Sequence, residues 1–246
     1  MTMIPADRHP AEPPPGPWVM VQRWHDLLFA HWRCPISDLR PLIPDALEIE
    51  TFDGHAWISV IPFYMTGVRV RGTPPVPTAN EFEELNVRTY VTLDGRPGIW
   101  FFSLDCASLL AVVGARVGVY LPYYRATMRM SKSTDGLITY ESKRWPVAGP
   151  PAAFAATYRA TGPGEVAAPG TLDHFLTERY SLYSSDGTRI WREDIFHARW
   201  NLQPAEAQIE HNSMIAAAGV RAVAHPPKLH FGAFQDVRFW WPVQVR

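Results

Sequence analysis

Residues Glu84 to Asp105 constrain this chain more than any other stretch. Glu84, Asn86, Arg88 and Tyr90 alternate with Leu85, Val87, Thr89 and Val91. That is the period of two of a strand with unlike faces. Asp94-Gly95-Arg96-Pro97 supplies a turn, and Gly98 to Asp105 supplies the return strand. A symmetric loop sets Asn86 opposite Asp105, Arg88 opposite Ser103 and Tyr90 opposite Phe101. On the other face it sets Val87 opposite Leu104 and Thr89 opposite Phe102. One face then gathers Glu84, Asn86, Arg88, Ser103 and Asp105, and the other is apolar. A slip of one residue would destroy this sorting, which is the argument for the register.

The 246 residues, 47% of them hydrophobic, suit one large all-β or α+β domain. A formal net charge of −1 gives no electrostatic reason to expect nucleic acid or an anionic membrane as partner. No basic stripe accompanies the many aromatics. Lys132, Lys143 and Lys228 are the only lysines, and this arginine bias, with many Ala and Pro, points to a bacterial, GC-rich genome. Cys34 and Cys106 are far apart and read as reduced cytoplasmic thiols. No apolar run reaches the length of a membrane span. Residues 1–17 are Pro-rich without an apolar core, so they read as a disordered or extended leader, not a secretory signal. Residues 18–246 form a single domain on this reading.

Further along, Leu27–Arg33 reads as a strand and Ser37–Arg40 as a short helix stopped by prolines. Leu47–Phe52 and His55–Met65 flank the turn Asp53-Gly54. Ala107–Arg116 reads as a short helix. A second hairpin pairs Pro122–Met130 with Leu137–Trp145 around Asp135-Gly136, which places Lys143 opposite Met128. Thr171 caps a helix through Tyr180, and Ser213–Ala218 is a helix ended by Gly219. The expected fold is mainly β (α+β): a curled antiparallel sheet forming a barrel-like cone with a few short helices.

The phrases LRPLIPDALEIETFDGHAWISVIPF, ELNVRTYV, GIWFFSLD, ARVGVYLPYYRA, LTERYSLY and HFGAFQDVRFWWP resemble a bacterial domain family of unknown function with the acetoacetate decarboxylase-like fold. The resemblance runs from Trp18 to Pro242 and implies a β-cone enclosing a small-molecule cavity. In acetoacetate decarboxylase a lysine shortly after the acidic end of the hairpin forms a Schiff base with the keto acid. The matching stretch here, Cys106 to Val112, holds no lysine, so that chemistry does not carry over.

The ligand-binding candidates are Glu84, Asn86, Arg88, Ser103, Asp105, Arg116 and Tyr123. Arginine forks two hydrogen bonds to a carboxylate, so Arg88 is a candidate clamp for a small anionic or carbonyl-bearing molecule. Asp105 or Glu84 would act as base or orient it. Arg116 needs a buried partner, and Asp105 or Glu84 is in reach. Two alternatives stand beside this reading. One is a lyase or aldolase-like enzyme acting on an oxo acid through a desolvated Lys143. The other is a non-catalytic structural or interaction protein. His31 reads as a satisfied core histidine. The histidine spacings suggest no metal site, and no cofactor motif is present. Homo-oligomerisation stays open.

Overall fold

The computed structural model describes residues 7–74, 80–108, 120–147, 149–221 and 226–246. The expected helix at Ala107–Arg116, and with it Arg116, lies for the most part outside the described residues. The described strands are β1 (Met20–Cys34), β2 (Glu48–Ile49), β3 (Ala56–Val70), β4 (Glu81–Leu93), β5 (Arg96–Cys106), β6 (Tyr123–Lys132) and β7 (Ile138–Arg144). They continue with β8 (Ala153–Ala160), β9 (Glu165–Val166), β10 (Ser181–Ser185), β11 (Ile190–Phe196), β12 (Asn201–Asn212), β13 (Lys228–Phe239) and β14 (Val243–Gln244). Short α-helices occupy Ile36–Leu39, Leu172–Thr177 and Met214–Ala217. The last is followed by Gly219, whose φ of 82° only glycine adopts without strain. The helix after Thr171 is shorter than expected. Thr171 Oγ1 accepts from His174 N as an N-cap should, but Glu178 already has ψ of 89°. Its carboxylate is held by the backbone N–H of Trp200 at 3.0 Å.

All the named strands belong to one large curled sheet, and its pairings close into two circuits. The smaller runs β5-β10-β11-β13-β1-β3-β4 and returns to β5. The larger leaves β5 through β6, β7, β8 and β12 before rejoining β13. Strands β13, β1, β3, β4 and β5 are therefore a shared wall with an interior on each side. That is why β4 is buried almost throughout from Phe82 onward. Leu85, Val87 and Val91 pack into the larger circuit with Tyr140, Phe154 and Tyr158. Phe82 points the other way, to Phe63, Phe101 and Trp200. Val, Thr and Tyr in β4 suit a pleated strand packed on both faces.

The wall corrects the expected hairpin register. The tight turn Asp94-Gly95 pairs Leu93 with Arg96, and Arg88 lies opposite Phe101, not Ser103. A bulge between Val87 and Arg88 then sets Val87 opposite Ser103 and Asn86 opposite Leu104. An added residue in one strand reverses the faces beyond it. Ser103 and Asp105 thus share the face of Val87, while Glu84, Asn86 and Arg88 share theirs with Phe101 and Leu104. The alternation is real, but neither face is solvent.

The second hairpin is corrected in the same way. Lys132 pairs with Ile138, leaving a five-residue loop, 133–137, in which the Ser133 hydroxyl bonds Asp135 and the Ser133 N–H bonds Leu137 O. The shift turns Tyr140, Ser142 and Arg144 inward and Lys143 outward. Lys143 lies opposite Thr127 and is exposed, so it is not the desolvated lysine that the lyase alternative requires.

Asp105 accepts from Arg144 (Nη2–Oδ1 2.7 Å, Nε–Oδ2 3.1 Å). Within the leader, Arg8 is buried rather than free, donating to both oxygens of Glu50 at 3.1 and 3.2 Å.

Where β5 and β10 pair in parallel, a Cβ at Gly98 would sit 2.6 Å from both Ser181 O and Tyr183 Cε2. Backbone cannot yield there. Gly98→Ala is expected to cost about 1–3 kcal/mol of stability by overpacking, read from chemical denaturation. Gly95→Ala, with open space but φ of 76°, isolates the purely conformational cost.

Candidate functional site

The smaller circuit is not filled. It encloses a cavity of about 550 Å³. Phe29, Ile61, Phe63, Leu104, Ile195 and Trp200 form much of its wall. The mouth lies where β3 ends, at the exposed Val70 and Pro74, and where Trp241 follows β13. β4 runs from that mouth inward, because its first residue Glu81 pairs with Thr66 and Arg88 pairs with Ser59. Glu84, Asn86 and Arg88 thus line the cavity at increasing depth.

Three sequence-expected residues converge near the mouth-side half. Tyr123 Oη donates to Glu84 Oε2 at 2.9 Å, both groups line the cavity, and Asn86 Oδ1 beside them has no hydrogen-bond partner. Burial pushes the Glu84 carboxyl up to about 8, with Tyr123 opposing. Glu193 of β11 joins them. It is 6% exposed, lines the cavity and is raised to about 8 by burial. It makes no side-chain hydrogen bond or ion pair among the described residues. Both acids are thus mainly protonated at neutral pH.

Arg88 lies deeper and is 7% exposed. Its Nη2 donates to Leu176 O at 3.4 Å, its guanidinium sits 5.8 Å from the Phe29 ring centroid, and its Nε has no partner. Among the described residues it forms no ion pair; burial lowers its pKa, and the neighbouring Tyr90 hydroxyl opposes that shift. Neighbouring Arg179, by contrast, is satisfied by Glu50 and by Phe175 O at 2.6 and 2.9 Å. His197 also lines the cavity; burial lowers it to about 4, leaving a neutral ring bonded to Ala198 O at 2.7 Å.

Ser103 and Asp105 lie outside the cavity lining, across the wall in the larger circuit. His31 is buried with Nδ1 2.6 Å from Ser59 Oγ, as a core histidine should be, although its Nε2 is unpartnered. Arg179, Glu193 and His197 were not singled out from sequence. The only signal was that Arg179 falls inside the phrase LTERYSLY. None of the three lysines lines the cavity.

The two raised acids make stability depend on pH. In the folded state Glu84 and Glu193 keep protons that an unfolded glutamate, at 4.5, gives up. Their contribution is complete below about 4.5 and is lost as pH rises through about 8. His197, held down from 6.5 to about 4, acts oppositely and only on the acid side. Between pH 6.5 and about 9 the melting temperature is therefore expected to fall, and Glu193→Gln to flatten that fall. A flat wild-type profile would contradict the burial of these acids.

Comparison with known proteins follows this geometry. The chain is 47% identical over 227 residues to the uncharacterized protein YqjF of Bacillus subtilis strain 168, covering 92% of this chain and 93% of the relative. Its fold matches the enduracididine biosynthesis enzyme MppR complexed with pyruvate at TM-score 0.64 and 10% identity, covering 96% and 91% of the two chains. It matches an acetoacetate decarboxylase-like enzyme from Sphingomonas wittichii RW1 at TM-score 0.64 and 12% identity, covering 94% of each. The fold is thus acetoacetate decarboxylase-like. Residues 21–235 match the DUF2071 family, described as an uncharacterized conserved protein, and the chain belongs to that family.

Proposed function

We propose that this protein binds a small organic anion in the cavity of the smaller circuit, with Arg88 as the clamp. The observation that carries the reading is Arg88 itself. A guanidinium withdrawn from water needs a counter-charge or a full set of hydrogen bonds, and Arg88 has one long bond to a carbonyl, the Tyr90 hydroxyl beside it, an idle Nε and no carboxylate partner among the described residues. A carboxylate accepts from two of its nitrogens at once. Apolar walls with a few convergent polar groups are the usual make-up of a ligand pocket. The pyruvate complex of the related MppR fold gives a carboxylate precedent by analogy only.

A Schiff-base route is not part of the reading. It needs a lysine at the ligand, and Lys132, Lys143 and Lys228 all lie elsewhere. A thermal-shift screen of small carboxylates tests the proposal. Some acids are expected to raise the melting temperature of the wild type and not of Arg88→Ala. Equal responses in both would remove Arg88 as the clamp.

A further inference from the structure

The make-up of the cavity narrows the ligand class, on the basis of the anion-binding reading above. We propose that the ligand is an amphipathic monocarboxylic acid, alkyl or aryl-alkyl, with its carboxylate at Arg88 and its apolar body lying along the cavity towards the mouth.

Size comes first. About 550 Å³ is the volume of a pocket for a drug-sized molecule, and a short polar acid at Arg88 would leave most of it empty or wet. The lining between Arg88 and solvent is mainly apolar. Beside Glu84, Asn86 and Glu193 it includes Phe63, Leu104 and Trp200, with Met20, Val68 and Trp241. Trp241 and Val70 at the mouth are 68% and 49% exposed, large apolar surfaces at an entrance that an apolar body would cross.

Charge then selects one carboxylate over two. Arg88 is the buried cavity cation left without an ion pair among the described residues, since Arg179 is held by Glu50. Arg69 at the rim is exposed to water. Glu84 and Glu193 flank the route outward. As neutral acids they tolerate a hydrocarbon beside them, but a second ligand carboxylate between them would meet two acids and, among the described residues, no cation short of Arg69 at the rim.

Calorimetric titration of the full chain at neutral pH with acetate, butyrate, hexanoate, octanoate, octanol and the dicarboxylate suberate tests this. Affinity is expected to rise about four-fold per added methylene from butyrate to octanoate. Octanoate should exceed both octanol and suberate by about ten-fold or more. The octanol comparison needs no variant, so the test stands even if an Arg88 substitution fails to fold. If acetate binds as tightly as octanoate and both exceed octanol, the amphipathic ligand is overturned and the Arg88 clamp survives. If octanol matches octanoate, the clamp is overturned as well. If no acid binds, both fail.

Discussion

Asp105→Ala is expected to lower the unfolding free energy by about 3–5 kcal/mol, the usual cost of stranding one member of a buried ion pair. The two side chains are 0% and 2% exposed, and Arg144 offers Nε and Nη2 to the carboxylate. Without Asp105, Arg144 keeps, among the described residues, only Pro150 O at 3.2 Å and the Tyr124 ring at 4.0 Å. Burial pushes the Asp105 carboxyl up and Arg144 pulls it down, so desolvation and attraction compete at this site. The double variant Asp105→Leu with Arg144→Met removes both charges and should recover much of the loss. Urea denaturation of the two single variants and the double checks this. Ligand affinity should persist in any variant that remains folded, because Asp105 lies across the wall from the cavity.

Arg88→Met should do the opposite on both counts. The ligand-free protein is expected to gain about 1–4 kcal/mol, as when buried ionic groups give way to apolar side chains of similar volume. Carboxylate binding is expected to weaken by about ten- to hundred-fold, the worth of a charge-assisted hydrogen bond to the ligand. Stabilisation with loss of binding is the signature of a group retained for a ligand. If Arg88 were a structural cation with a satisfied network, the substitution would destabilise instead. Denaturation and calorimetry on the same preparation separate the two.

Most of the architecture was legible because strand alternation and turn residues are local signals. Asp53-Gly54, Asp94-Gly95 and Gly219 punctuate the chain where the pattern places them. Register was not local. The bulge at Val87/Arg88 and the five-residue loop 133–137 each moved a strand by one residue. Each step carried a charged side chain to the other face: Asp105 away from the cavity, Arg144 in and Lys143 out. The deeper reason is the shared wall. A strand with an interior on both sides has no solvent face, so polar residues on β4 mark a cavity rather than an exterior, and alternation alone cannot tell these apart. Glu84, Asn86, Arg88 and Tyr123, the sequence candidates that line the cavity, sit on or beside the hairpin. Glu193 and His197 arrive from β11 and the segment after it, through a closure of the sheet that no local pattern announces.

The most direct measurement is a crystal structure of the full chain grown with octanoate. The account predicts the carboxylate within hydrogen-bond distance of Arg88 Nε and Nη2, and the alkyl chain between Phe63 and Trp200. A cavity without octanoate under saturating ligand, or a carboxylate held away from Arg88, would contradict it.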